Sequence, residues 1–274
     1  MDRGVHTRGK VARLVAGAES VEIKATVPQK QVEGGLRRFN LTADNDEERF
    51  IYFFDTPELQ LFNAGVVARA RRIVGGEHDS TVKFRPADPA TIDRKWQKYK
   101  GFKIEADASE KGVVKSASLT MPVEKGLIKR VVEGERPIAD LFTEEQKAFL
   151  LETAKARFDF DRVVVMGPMR AWRWKFEDPG LPWPLTAELW QRDDGATVLE
   201  ASIKAPVVQA AAAGGGFLAF LAELGAERDN DQQAKTRWAL DYFAARAKGS
   251  VRSSSGAGRA AAAAPDPQAR ARRK

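Results

Sequence analysis

The chain contains no cysteine, which excludes a disulfide framework, a zinc–thiolate site and an iron–sulfur cluster. It has two histidines, His6 and His78, so a two-histidine zinc motif is not expected and any metal would be held by oxygen. No apolar run approaches the roughly 20 residues of a membrane span. The opening segment lacks the apolar core of a signal peptide, so a cytoplasmic protein without membrane contact is expected. Net charge is scarce in the body of the chain, although the total is +7. Residues 248–274 carry seven basic side chains and one acid, and residues 1–13 carry four and one, which leaves residues 14–247 at −2. The basic character therefore sits at the ends, whereas nucleic-acid binders carry it on a folded face.

Composition divides the chain into residues 1–17, a loose N-terminus, residues 18–248, one domain, and residues 249–274, a basic tail of Ala, Arg and Ser. The tail has no aromatic residue and is expected to be disordered, with at most a weak electrostatic contact to nucleic acid. Within the domain, short β-branched or alternating runs at 21–27, 49–54, 66–74, 80–85 and 101–109 predict strands, as do 158–165, 169–176, 185–192 and 197–204. Asp193, Asp194 and Gly195 form the turn between the last two. Helices are predicted at 28–39, 57–64, 138–156, 207–224 and 231–247, the third opened by a Thr143–Gln146 capping box. The three glycines 214–216 weaken the fourth; they have neither a preceding strand nor a following Lys-Ser/Thr, so they are not a Walker-type loop. The order of elements predicts an α+β fold on a mostly antiparallel sheet.

Charge recurs with period two on five strands. Glu22 and Lys24 oppose Val21 and Ile23; Arg69 and Arg71 oppose Ala68 and Ala70; Lys83 and Arg85 oppose Val82 and Phe84. Lys103, Glu105 and Asp107 oppose Phe102, Ile104 and Ala106, and Glu200, Ser202 and Lys204 oppose Leu199, Ala201 and Ile203. A single such strand is the wet face of an ordinary sheet. Five together, with like charges as adjacent alternates, need counter-charges between them. If the sheet curls with this face inward, lysines and arginines can grip phosphate oxygens while carboxylates hold divalent cations. The tryptophans at 172, 174, 183 and 238 read as core, whereas Trp190 falls on the charged face.

These residues resemble the CYTH domain of the triphosphate tunnel metalloenzymes, which include thiamine triphosphatase, inorganic triphosphatases and class IV adenylate cyclases. The family's opening Glu-x-Glu-x-Lys reads here Ser20-Val-Glu22-Ile-Lys24. The more specific match is Tyr52-Phe-Phe-Asp55-Thr56-Pro57, then Gly65 and Arg69-Ala-Arg71. Thr81-Val-Lys83 and Lys103-Ile-Glu105-Ala-Asp107 follow, and Arg162, Glu188-Leu-Trp190, Glu200-Ala-Ser202 and Lys235 complete the match.

The resemblance implies an eight-stranded antiparallel barrel closed into a tunnel, with helices packed outside. It implies a triphosphate (inorganic tripolyphosphate, a nucleoside triphosphate or thiamine triphosphate) bound by Lys24, Arg69, Arg71, Lys83, Arg85, Lys103, Arg162, Lys204 and Lys235. Mg²⁺ or Mn²⁺ would be held by Glu22, Glu105, Asp107, Glu188 and Glu200, and the terminal phosphate hydrolysed with Glu22, Lys24 and Glu200 as catalytic residues. The alternatives are a non-catalytic nucleotide- or polyphosphate-binding module and an adenylate cyclase. Ser20, Trp190 and Ser202 stand where the family has acids. That bears on a second metal, the one that would activate water.

Overall fold

In a computed structural model, the described residues are 18, 20–27, 31–42, 46–109, 112–155, 159–223 and 235–260. Nine strands form a closed barrel: β1 (Ser20–Val27), β2 (Glu47–Asp55), β3 (Val66–Ile73), β4 (His78–Phe84), β5 (Phe102–Ser109), β6 (Gly112–Val123), β7 (Val164–Asp178), β8 (Leu181–Gln191) and β9 (Thr197–Pro206). Around the barrel they run β1-β5-β6-β4-β3-β2-β7-β8-β9, and β9 pairs back onto β1. The pairing of β1 with β5 is parallel and every other pairing is antiparallel. The expected eight antiparallel strands are therefore corrected to a mixed barrel of nine.

The extra strand is β6, whose Val113-Val114 and Leu119-Thr120 are separated by Lys115–Ser118. Its centre, Ser116-Ala-Ser118, is small and buried. Ser118 lies opposite both Lys83 and Lys103, and Ser116 opposite Glu105, so short side chains leave room for long charged ones. The strand predicted at 158–165 is turn and irregular chain over 159–163, and only Val164 and Val165 of it join the 169–176 run, in the single long strand β7; residues 156–158 lie outside the described set. Pairing with β2 shifts register between Ile51 and Phe53 as β7 passes Gly167-Pro168.

Helices α1 (Val32–Arg38), α2 (Gln60–Asn63), α3 (Leu127–Val132), α4 (Glu144–Thr153) and α5 (Ala210–Glu223) precede the last, α6 (Lys235–Ala260). The outward alternates of β1, β8 and β9 (Val21, Ile23, Leu185, Leu199, Ile203) bury against the α5 residues Phe217, Phe220 and Leu221. Outward residues of β2–β6, including Phe54, Ala68, Val82 and Leu119, bury against Ile128, Phe149 and Leu150 of α3 and α4. Gln146 completes the predicted capping box with Thr143, and its amide also donates to the carbonyls of Ser80 and Leu119 at 3.0 and 3.1 Å. That fully buried side chain ties α4 to β4 and β6. The three glycines lie inside α5, where Gly216 sits against Trp183 of β8 and Gly214 against Ile23 of β1.

A third core lies inside the barrel. Ile51, Phe53, Val67, Met169, Ala171 and Trp190, all on lumen-facing alternates, pack against Ala239, Leu240, Phe243 and Ala244 of α6. Helix α6 covers one end of the lumen, so the tunnel becomes a cup. Its backbone stays helical through Ala260, past Gly249, and residues 261–274 of the expected tail lie outside the described set, as do residues 1–17. No helix among the described residues is long and apolar enough to cross a membrane.

Candidate functional site

The Asp55-Thr56 motif builds the wall of the cup without entering it. Asp55 is buried, and its carboxylate accepts from the backbone N–H groups of Thr56, Leu61 and Phe62 at 2.7–2.9 Å. Burial pushes the Asp55 pKa up, and these three donors oppose the push. The clamp folds residues 56–65 into a tight link between β2 and β3. Gly65 ends it at φ +81°, where a Cβ would lie 2.2 Å from the Arg85 carbonyl oxygen, so only glycine fits. The Gly65 carbonyl accepts from the Arg85 N–H at 2.9 Å, which sets β3 beside β4 with Arg69, Arg71, Lys83 and Arg85 turned to the cup.

The cavity has a volume of about 210 Å³. Eight basic side chains line it, namely Lys24, Arg49, Arg69, Arg71, Lys83, Arg85, Arg173 and Lys235, against the acids Glu22, Glu105, Asp107, Glu188 and Glu200. The excess of cations is three. Of the residues expected at the site, Lys103, Arg162 and Lys204 are not among those lining the cavity. Lys103 and Arg162 are exposed, the latter on the turn before β7. Lys204 is at the rim, 2.9 Å from Glu105 Oε1. Arg49 and Arg173, not expected at the site, line it instead. Their signal was present: Arg49 shares its phase with the core residues Ile51 and Phe53, and Arg173 with Ala171.

The acids are engaged in ion pairs. Lys24 Nζ lies 3.0 Å from Glu22 Oε2 and 2.9 Å from Asp107 Oδ1, and Lys83 Nζ lies 3.4 Å from Asp107 Oδ2. Lys235 Nζ pairs with Glu188 Oε2 and lies 2.8 Å from Glu200 Oε1. Burial works against these charges, but Lys24 and Lys83 hold Asp107 well below the carboxylate range, and Lys235, Arg173 and Arg49 do the same for Glu188. Glu22, Asp107 and Glu200 hold Lys24 well above the ordinary lysine value despite its burial. Lys235 is likewise raised, by Glu188 and Glu200.

The arginines on β2, β3 and β7 are less well matched. Arg49 pairs with Glu47, and its Nη1 lies 3.8 Å from Glu188. Burial and the neighbouring Arg71, Arg173 and Arg69 lower its pKa to about 10. Arg69 is also lowered to about 10, by burial and by Arg71. Its buried Nε has no hydrogen-bond partner, and among the described residues no carboxylate forms an ion pair with it. The Arg173 Nε is buried without a hydrogen bond too, 3.5 Å from Glu188 Oε1. Arg71 alone is satisfied in bidentate fashion, by Asp79 at 2.9 and 2.7 Å. Buried donors normally find partners, so this corner can donate to an acceptor-rich anion.

The five acids do not fit a resident Mg²⁺ or Mn²⁺ as arranged. No three carboxylates among the described residues come together as a metal site, whereas a hard dication of this kind takes about six oxygens. Ser202 lies opposite Lys24 across β1 and β9, and Trp190 packs on Phe53 at 6.1 Å between ring centroids, in the floor of the cup.

No protein-family model and no curated protein matches the chain. Solved structures do. A candidate adenylate cyclase from Bacillus halodurans aligns with a TM-score of 0.54 at 12% identity, over 80% of this chain and 97% of its own. A candidate adenylyl cyclase from Hippeastrum, which reveals a dominant triphosphatase activity, aligns with a TM-score of 0.55 at 16% identity, over 79% of this chain and 93% of its own. At these identities the likeness is one of fold. The chain has the closed barrel of the CYTH, or triphosphate tunnel, type that its Asp-Thr and Arg-x-Arg segments resemble.

Proposed function

We propose that the cup binds the triphosphate group of a small molecule. The observation that carries this reading is the arginine corner: Arg49, Arg69 and Arg173 converge in a buried wall with two N–H groups unpartnered. Charge-assisted bonds to phosphate oxygens would satisfy those donors and relieve the repulsion among the cations. The cavity is smaller than the roughly 300–1,000 Å³ of sites for drug-sized ligands. It therefore suits the phosphate chain, with any organic part projecting from the mouth.

A second reading adds hydrolysis of the terminal phosphate, supported by the triphosphatase activity of the Hippeastrum structure of the same fold. In that reading the arginines neutralise charge on the transferred phosphoryl group, and Lys24 holds its oxygens. Glu22 and Glu200, on strands β1 and β9, are the carboxylates offered to the attacking water. Mg²⁺ or Mn²⁺ would arrive as part of the substrate, complexed to the phosphates. The test is release of phosphate from tripolyphosphate, ATP and thiamine triphosphate, with and without each cation, at alkaline pH. Phosphate release establishes hydrolysis; binding without release leaves a binding module; cyclic AMP formed from ATP would identify a cyclase. Failure of all three compounds to bind discards the site.

A further inference from the structure

Four of the cup's five carboxylates occur in two pairs, each set face to face across neighbouring strands, and the fifth, Glu105, pairs with Lys204 at the rim. Glu22 of β1 lies opposite Asp107 of β5, and Glu188 of β8 lies opposite Glu200 of β9. Like charges directly opposite each other are destabilising unless a cation stands between them. In both pairs that cation is a lysine of the chain. Lys24 Nζ lies within 3.0 Å of Glu22 and Asp107, and Lys235 Nζ bridges Glu188 and Glu200, 2.8 Å from the latter.

The residues around the second pair suit an ammonium. Trp190, where the resembling pattern has an acid, presents its ring 4.9 Å from Lys235 Nζ. A π face attracts a monovalent cation but supplies no oxygen ligand to a dication. Ser202, the other exchanged acid of this region, faces Lys24 across the sheet. Lys235 is the first residue of α6, the helix whose apolar face is fixed in the lumen by Leu240 and Phe243. The ammonium is thus delivered by a packed element.

We infer that Lys24 and Lys235 serve as built-in counter-cations for the two carboxylate pairs, so that this chain binds a triphosphate in the absence of metal. The inference rests on the reading of the cup as a triphosphate site. With each carboxylate pair already bridged by a lysine, and eight basic side chains lining the cup against five acids, the arginine corner keeps a net positive field without help from bound metal.

Titration of sodium tripolyphosphate into the full chain, once in EDTA and once in Mg²⁺, tests it. Affinities within about threefold of each other are expected. Binding that appears only with Mg²⁺ overturns the inference and leaves the triphosphate reading intact; no binding in either medium overturns both. A second measurement uses Mn²⁺ alone, followed by its paramagnetic resonance. Wild type should leave the Mn²⁺ signal that of the free ion, whereas Lys235→Met, with Glu188 and Glu200 uncovered, should bind the ion. Mn²⁺ bound by wild type, or none bound by a folded Lys235→Met, contradicts the assignment.

Discussion

The two ends of the lumen are built on the same strands and differ completely. Along β2 the inward residues run Arg49, Ile51, Phe53; along β3, Arg71, Arg69, Val67; along β7, Arg173, Ala171, Met169; along β8, Glu188, Trp190. A step of two to four residues crosses from a charged cup to an apolar floor sealed by α6. The floor gains free energy from burial, although the Trp190 indole N–H there is buried without a hydrogen-bond partner. The cup holds cations that burial disfavours, so it costs stability where the floor adds it.

The largest expected effect of breaking this contrast is at the floor. Phe53 is 1% exposed and stacks near Trp190 and α6. Phe53→Ala should cost about 3–5 kcal/mol in urea unfolding, since a large cavity opens in a packed core. The matching change in the cup should act in the opposite sense on stability. Arg69→Met removes a buried cation without an ion partner and leaves an apolar stem, so the ligand-free melting temperature should stay level or rise. Tripolyphosphate affinity should fall roughly 10-fold to 100-fold, as expected for loss of a charge-assisted contact of about 1.5–3 kcal/mol. Calorimetry and thermal unfolding on the same sample check both halves.

A smaller effect should come from pH. Burial, with Lys24 and Arg69 nearby, lowers the Lys83 pKa in spite of Asp107 and Glu105. Lys83 must be charged to hold phosphate, so affinity is full below that lowered value. It should weaken as pH rises through it, before an ordinary lysine titrates near 10.5. The unfolded chain binds the more protons in that window, so the Lys83 contribution makes the ligand-free fold more stable with rising pH there. Lys83→Arg should move the loss of affinity to higher pH. The smallest effects belong to Lys103→Ala and Arg162→Ala. Both side chains are exposed and neither lines the cup, so affinity should change less than about twofold by the same titration.

Much of the site was legible because period-two alternation of charge survives in one dimension: Glu22/Lys24, Arg69/Arg71 and Glu105/Asp107 all reached the cup as expected. The alternation cannot say where along a strand the lumen ends. Lys103 and Lys204 keep the inward phase yet emerge at the rim, and Arg162 precedes its strand altogether. Arg49 and Arg173 were hidden for the converse reason. Arg49 follows two glutamates and Arg173 sits among Trp172, Trp174 and Lys175, so neither lies in a run of inward charges, and only closure of the barrel brings them beside Arg69. Strand β6 was missed because what it contributes is smallness, and Ser116 and Ser118 carry weak β propensity. The parallel pairing of β1 with β5 follows from how the barrel closes, which no local pattern encodes.

The central claim is that the charged end of the lumen is an anion site and not a neutralised core. Isothermal titration of sodium tripolyphosphate into wild type and Arg69→Met tests it most directly. The account predicts saturable binding at one site per chain in wild type and a drop of at least tenfold in a variant that melts no lower. Equal affinities in the two proteins, or no heat of binding in a folded wild type, would contradict it.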